Sequence, residues 1–402
     1  MQAKNKLKIL FVSAEYPPET GLGGIGTYVA SIAPVLAGKG HQVHVLSCFP
    51  SQRRSERNDR GVYIHRRDQL RIPGFLKLCR LLRLTLTSSR ILAGISTYLE
   101  YKRLKIPFDI VEYPDWGGEG WLFPILSSVP LVSHIHTPLP LILKHNRIAY
   151  KMDAAIASHF ERFSVVKAHV ITAPSVYMKT ALHHTNWLTT KHIDVIPYPI
   201  DHFKWSTTKD VLVTSPVVLF IGRLERLKAP EILVYAMEII RKRIPEAEAI
   251  FVGRSNGRRG GLPYGDWVKH IAEEIGNCSI LGHVARDQLR ELISKARVVA
   301  VPSWHDNFPN AALEAMASGR PVVASINTGI SKILEENNAG KIVPPGDAAA
   351  LAEALIPFMA DPEFAANIGR NAQKAVIEFC DPNKIASKRE QIYRRATSML
   401  KQ

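Results

Sequence analysis

Short, nearly continuous apolar runs rich in Val, Ile and Leu alternate with longer mixed stretches along most of the chain. In the first half they are Lys8–Ser13, Val43–Ser47, Val62–His65, Ile110–Tyr113, Leu131–His136, Val170–Ala173 and Val195–Pro197. In the second half they are Val217–Gly222, Ala249–Gly253, Ser279–Gly282, Val298–Pro302, Pro321–Ser325 and Lys341–Val343. Runs of this kind, bounded by Gly and Pro and separated by helical stretches, predict parallel strands buried on both faces. The polar break Asp201–Ser215 reads as a linker. The chain is therefore expected to form two doubly wound α/β domains in series, residues 1–205 and 206–382, followed by a basic helix over 383–402. Such sheets bind ligands beyond the carboxyl ends of their strands.

The 402-residue length agrees with two domains. A hydrophobic content of 46% with 22% charged residues excludes a disordered chain. Cys48, Cys79, Cys278 and Cys380 share no zinc-type or redox spacing, so they read as reduced thiols of a cytoplasmic protein. Ile9–Val12 is too short for a signal-peptide core, and no apolar stretch is long enough to span a bilayer. The net charge is +16, and much of it is local. Between Ser51 and Lys105 there are 14 Lys/Arg against 4 Asp/Glu, a net of +10. A solvated helix face accounts for such a run as readily as a phosphate- or membrane-binding patch does. Phe75–Leu84 sharpens it: Lys77, Arg80 and Arg83 recur every third residue among leucines, which predicts an amphipathic basic helix suited to an anionic membrane face. Aromatic residues do not interleave the basic run, so a nucleic-acid partner is not expected.

Val301–Ser325 carries the most chemistry. It reads as a buried strand, a loop ending Asn307-Phe308-Pro309, an Ala-rich helix, a Gly319 stop and a second buried strand. Asp306 and Glu314 lie eight residues apart across the loop–helix junction, where free backbone N–H groups favour anions. Arg223 leaves a strand end and Lys228 precedes Pro230, so a fork and a point charge five residues apart could grip one diphosphate. Gly21-Leu22-Gly23-Gly24-Ile25-Gly26 follows the first strand and opens a helix, allowing close approach of a ligand to backbone. It also matches a dinucleotide fingerprint in letters, but no acidic residue ends strand two to hold a ribose. His134 and His136 fall on one side of their strand by alternation. No Asp-x-Asp occurs, so no metal site and no cofactor are expected.

These segments resemble the donor-binding signature of retaining GT-B glycosyltransferases, in particular the large family 4 (glycosyl transferases group 1). Asp306 stands where the family's first Glu usually stands, one methylene shorter, and Glu314 at the second. Gly222-Arg223-Leu224 with Lys228 resembles the family's phosphate clamp, with Ala229 in place of a usual Gly. The resemblance implies two Rossmann-like domains facing across a cleft, the first for the acceptor and the second for the nucleotide-sugar donor, with the last helix crossing back to the first. It implies that Arg223 and Lys228 neutralise the leaving diphosphate, that His136 touches the donor sugar, and that Gly23 and Gly24 lie against diphosphate and acceptor. It further implies that Glu314 bonds the ribose, that Asp306 with the backbone of Asn307, Phe308 and Pro309 meets sugar and phosphates, and that His283-Val284 pairs with the base while Gly253 lines the donor side. Asp115, Trp116 and Glu119 are acceptor-side candidates, with an ordinary turn as the alternative. The implied reaction moves a hexose, UDP-glucose being the favoured donor and GDP-mannose the alternative, to a saccharide or lipid-linked saccharide in polysaccharide biosynthesis, at or near the inner face of the cytoplasmic membrane. A nucleotide-sugar epimerase on the same fold, or a basic binding protein without catalysis, are the competing readings; the epimerase would not need the full clamp and carboxylate set.

Overall fold

A computed structural model describes residues 6–20, 23–185, 187–188, 191–206, 212 and 215–400. The chain divides into two compact units, Met1–Pro199 with Pro382–Gln402, and Ile200–Asp381. The boundary falls before the expected 205/206. The helix His202–Trp205 belongs to the second unit, where Trp205 is buried and its carbonyl accepts a bond from Ser318 Oγ at 2.8 Å. Part of the expected linker, 207–211 and 213–214, lies outside the described residues, as do Gly21 and Leu22 of the glycine loop.

The first unit holds β1 (Lys8–Val12), β2 (Gln42–Phe49), β3 (Ser55–Asp59), β4 (Val62–Asp68), β5 (Ile110–Pro114), β6 (Leu131–His134), β7 (Val170–Ala173) and β8 (Ile193–Val195). Their order is β3-β4-β2-β1-β5-β6-β7-β8, and every pair except β3/β4 is parallel. Ile9, Leu10, Phe11 and Val12 are all buried, as a central parallel strand covered on both faces requires. The first helix, α1 (Gly24–Gly38), presents Tyr28, Ile32 and Leu36 to the core at four-residue spacing. The polar stretch Ser55–Asp59, which is not among the apolar runs, is an antiparallel edge strand. An edge strand needs only backbone pairing, so it leaves no apolar signal.

Helix α2 runs Pro73–Leu81 and α3 runs Thr85–Leu104. The basic amphipathic helix expected through Leu84 thus stops at Leu81, and Arg83 adopts a left-handed φ of 57° in the turn between them. Lys77 and Arg80 are on α2; Arg83 is not. The C-terminal helix Pro382–Met399 packs in the first unit and buries Arg389 completely.

The second unit holds β9 (Val217–Ile221), β10 (Glu248–Val252), the small hairpin β11 (Arg258–Arg259) and β12 (Leu262–Pro263), then β13 (Cys278–Gly282), β14 (Val298–Val301), β15 (Val322–Ser325) and β16 (Gly340–Val343). Its main sheet is wholly parallel in the order β13-β10-β9-β14-β15-β16. Val218, Phe220, Phe251 and Val298 pack there with Leu233, Met237, Leu355 and Phe358 from the covering helices. No described helix is long and apolar enough to cross a membrane.

Candidate active site

In the second unit, chain reversals at the carboxyl ends of β9 and β14 bring distant residues together. After β9 the backbone passes Gly222 and Arg223 into a 3₁₀ turn, Arg226–Lys228. Ala229 is left-handed (φ 51°), and Pro230 then starts the helix Pro230–Ile240. This turn aims Lys228 at the loop after β14, where its Nζ donates to Asp306 Oδ2 at 2.6 Å. The two side chains keep 20% and 12% of their surface exposed, so the pair is accessible yet only partly screened. Asp306 is itself fixed through its backbone: its N–H donates to the carbonyl of Asn327 (3.1 Å) and its carbonyl accepts from Gly329 (2.9 Å). Thr328 and Gly329 carried no assigned role in the sequence; holding this loop is what they do. Phe308 in the same loop is buried, and Pro309 after it is the N-cap of the helix Asn310–Ala317.

Arg223 is largely exposed and pairs with the buried Glu225 at 2.9 Å. Asn256 donates to the other oxygen of Glu225. The Arg223 guanidinium is therefore held to Glu225 through its terminal Nη2. Glu314 rises from the second turn of its helix and is only 7% exposed. Burial pushes its carboxyl up to about 7, with Arg286 pulling the other way. Arg286 opens the helix after His283 and Val284 and also stacks over Trp205 (5.9 Å), so the His283-Val284 loop is linked to the Glu314 neighbourhood. Gly253 has a structural demand of its own: a Cβ there would overlap the carbonyl oxygen of Gly222, and its N–H donates to Gly282 (2.7 Å). Only glycine lets the ends of β9, β10 and β13 approach so closely.

In the first unit, β6 ends at His134 rather than His136, and the chain then turns sharply. Asp115, which ends the β5 strand-turn, accepts the backbone N–H of His136 on Oδ1 at 2.6 Å. Burial raises the Asp115 carboxyl to about 8. The His136 ring is buried, with Nδ1 against Tyr198 Oη at 2.6 Å. Burial first, then the Arg389 charge, drive its pKa down to about 3, so the imidazole is neutral at physiological pH. His134 stands behind it, ring to ring at 5.0 Å. His134 Nδ1 meets Thr172 Oγ1 (2.8 Å) and Arg389 Nη2 (3.0 Å). Arg389 also pairs with Glu112 (3.3 Å) and lies over Tyr28, whose hydroxyl donates to Glu112 (2.7 Å). A buried charged lattice thus sets the ring stack behind His136. Asp115 had suggested an acceptor contact; the structure makes it the clamp of the His136 backbone. Tyr198 and Arg389 gave no sign in the sequence, being 62 and 253 positions from His136.

Gly23 caps α1 with no side-chain bond, and a Cβ there would overlap the Glu15 carboxylate. Gly24 faces open space. Glu119 is buried with Oε2 unbonded; burial, opposed by the Ala14 backbone hydrogen bond and reinforced by the nearby Glu15, pushes its carboxyl up to about 8.

Two doubly wound α/β units, each with polar residues at the carboxyl ends of its strands, form the architecture seen in GT-B transferases. Two family profiles match end to end: "Glycosyltransferase Family 4" over residues 22–203 and "Glycosyl transferases group 1" over residues 204–375. The chain belongs to the group 1, family 4 glycosyltransferases and is a transferase enzyme. A D-inositol 3-phosphate glycosyltransferase of Corynebacterium glutamicum is 26% identical over 88% of this chain and 88% of its own. Among solved structures, sucrose-phosphate synthase from Thermosynechococcus elongatus superposes with a TM-score of 0.76, at 20% identity over 98% of this chain and all of that one. Anabaena HepE in complex with UDP-glucose superposes with a TM-score of 0.69, at 19% identity over 96% and 99%. At those identities the superpositions speak for the fold.

Proposed function

We propose that the protein transfers a hexose from a UDP-sugar, UDP-glucose in the first place, to a hydroxyl of a saccharide or lipid-linked saccharide, with retention of configuration, in polysaccharide assembly. The bond from the anomeric carbon to the diphosphate oxygen breaks as the bond to the acceptor oxygen forms. The acceptor proton passes to the departing diphosphate, so UDP leaves with the charge that Lys228 and Arg223 neutralise. Glu314 takes the ribose hydroxyls, and the backbone of His283 and Val284 takes the base. Gly253 and the loop of Asn307, Phe308 and Pro309 line the sugar and phosphates, with Asp306 accepting from a sugar hydroxyl. His136, neutral, touches the sugar without adding positive charge. Gly23 and Gly24 at the start of α1 offer N–H groups to diphosphate and acceptor. With two cations at the leaving group, this reading needs no metal and no cofactor.

The observation that carries it is the Lys228–Asp306 pair at 2.6 Å, one cation and one carboxylate at the mouth of a parallel sheet whose neighbouring helix buries Glu314. The complex of HepE with UDP-glucose supports the choice of donor. The test is hydrolysis of a nucleotide-sugar panel, which needs no acceptor. UDP-glucose should be consumed, and Lys228→Ala should lose at least ~100-fold in rate, since removing one donor from a developing oxyanion typically costs that much. Consumption of GDP-mannose alone would move the donor assignment, and full activity in Lys228→Ala would remove the clamp.

A further inference from the structure

Two segments of the first unit stand side by side and expose large apolar side chains among basic ones. The first is α2 with the turn after it, where Leu78, Leu81 and Leu82 are exposed and Leu81 keeps 79% of its surface. The second follows the helix Leu139–His145 and exposes Ile148, Tyr150 and Met152, the last at 68%. They are tied together at Asp153, whose carboxylate accepts the N–H groups of Leu86 (2.9 Å) and Thr87 (2.8 Å) at the start of α3. The N–H of Leu84 donates in turn to the carbonyl of Cys79 at 2.7 Å, joining that start to α2. Neither segment carries an acidic residue: there is no Asp or Glu from Leu70 to Leu99, nor from Gly120 to Met152. Lys77, Arg80, Arg83, Lys144, Arg147 and Lys151 are all exposed there.

A solvated face mixes both signs of charge and shows large apolar side chains singly. This surface does neither. Burying six large apolar groups would be favourable, and a purely cationic rim selects an anionic partner. A bilayer with acidic headgroups satisfies both demands at once, because lipid offers an apolar layer directly beneath a phosphate layer. The second segment is also close to the site: its helix begins three residues after His136 and, at seven residues, is about 10 Å long.

We propose that this surface docks the protein onto an anionic lipid bilayer, with Leu78, Leu81, Leu82, Ile148, Tyr150 and Met152 entering the headgroup boundary and the basic residues meeting lipid phosphates. The inference is independent of which nucleotide sugar is used.

The test is co-sedimentation of the full chain with vesicles of phosphatidylcholine alone, or of phosphatidylcholine with 30% phosphatidylglycerol, at low and at physiological salt (a vesicle composition of roughly the surface charge that holds basic segments). Binding to the anionic vesicles should exceed binding to the neutral ones at least tenfold and weaken with salt. The double variant Arg80→Glu, Arg147→Glu should bind the anionic vesicles at least ~25-fold more weakly, two charges near such a surface being worth about fivefold each before reversal is counted. The double variant Leu81→Ser, Met152→Ser should lose the binding that survives physiological salt. Both pairs are solvent-exposed, so melting temperatures should stay with the parent's. Equal binding to neutral vesicles, no binding to either, or a self-association that the charge variant abolishes while vesicle binding is absent would each overturn the proposal, the last in favour of a second copy of the chain.

Discussion

Replacing Asp306 with Asn should make the protein bind UDP more tightly while impairing its use of UDP-glucose. Lys228 Nζ lies 2.6 Å from Asp306 Oδ2, so a diphosphate that engages Lys228 must draw it from a carboxylate and then tolerate that carboxylate's charge. A hydrogen bond involving a charged group contributes about 1.5–3 kcal/mol. The pair keeps 20% and 12% exposure, which argues for the lower end of that range. At about 1.4 kcal/mol per factor of ten, UDP should bind about tenfold more tightly to Asp306→Asn. The intact donor behaves differently, because its sugar hydroxyls compensate the released carboxylate, and Asn accepts from a hydroxyl less strongly than Asp does. Donor turnover should therefore fall while product inhibition rises. Titration calorimetry with UDP and with UDP-glucose, parent against variant, reads both effects. Unchanged or weaker UDP binding in a variant with parental melting behaviour would refute the idea that Asp306 holds Lys228 against the product.

Glu314 predicts a pH effect on nucleotide binding. Burial holds its carboxyl at about 7, so the carboxylate that would accept ribose hydroxyls forms only as pH rises through that value. UDP affinity should climb between pH 6 and 8, and Glu314→Gln should flatten the rise; a parallel rise in the variant would deny Glu314 the ribose. Buried imidazoles predict acid lability. Burial, then His65 and Lys8, lower His44 to about 4, and it bonds His65 at 2.9 Å. The folded chain thus keeps His44 neutral where the unfolded chain would protonate it below ~6.5. That stability is fully present above pH 6.5 and is lost as pH falls toward 4, up to about 3 kcal/mol for such a displacement. Thermal melts at pH 7 and pH 5 should separate more in the parent than in His44→Gln, and equal separation would remove His44 as the cause.

How much of this could be read from the sequence depended on whether a signal was local. Twelve of the thirteen apolar runs became strands, because parallel strands covered on both faces are written as contiguous apolar residues, whereas Val195–Pro197 shares only Val195 with β8, which runs Ile193–Val195. Ser55–Asp59 escaped because an edge strand pairs through backbone alone. Periodicity extended the basic helix to Leu84, but the left-handed turn at Arg83 ended it three residues earlier. Motif spacing singled out individual candidate residues but not the side chains they contact. Nothing local says that Lys228 meets a carboxylate 78 residues on. The Arg389 lattice behind His136 is invisible for the same reason: it joins β5, β6, β7 and the last helix, and only the folded sheet makes them neighbours. Gly253 was read as a ligand contact, while the fold shows first that no other residue could sit against Gly222.

The central claim is a metal-independent, retaining transfer from a UDP-hexose. Proton NMR of the parent enzyme with UDP-glucose in the presence of EDTA follows both the donor and the anomeric configuration of the first product. Loss of UDP-glucose with an α-configured product appearing first is the predicted result, and a β-configured first product, or a donor left intact until a divalent ion is added, would contradict the account.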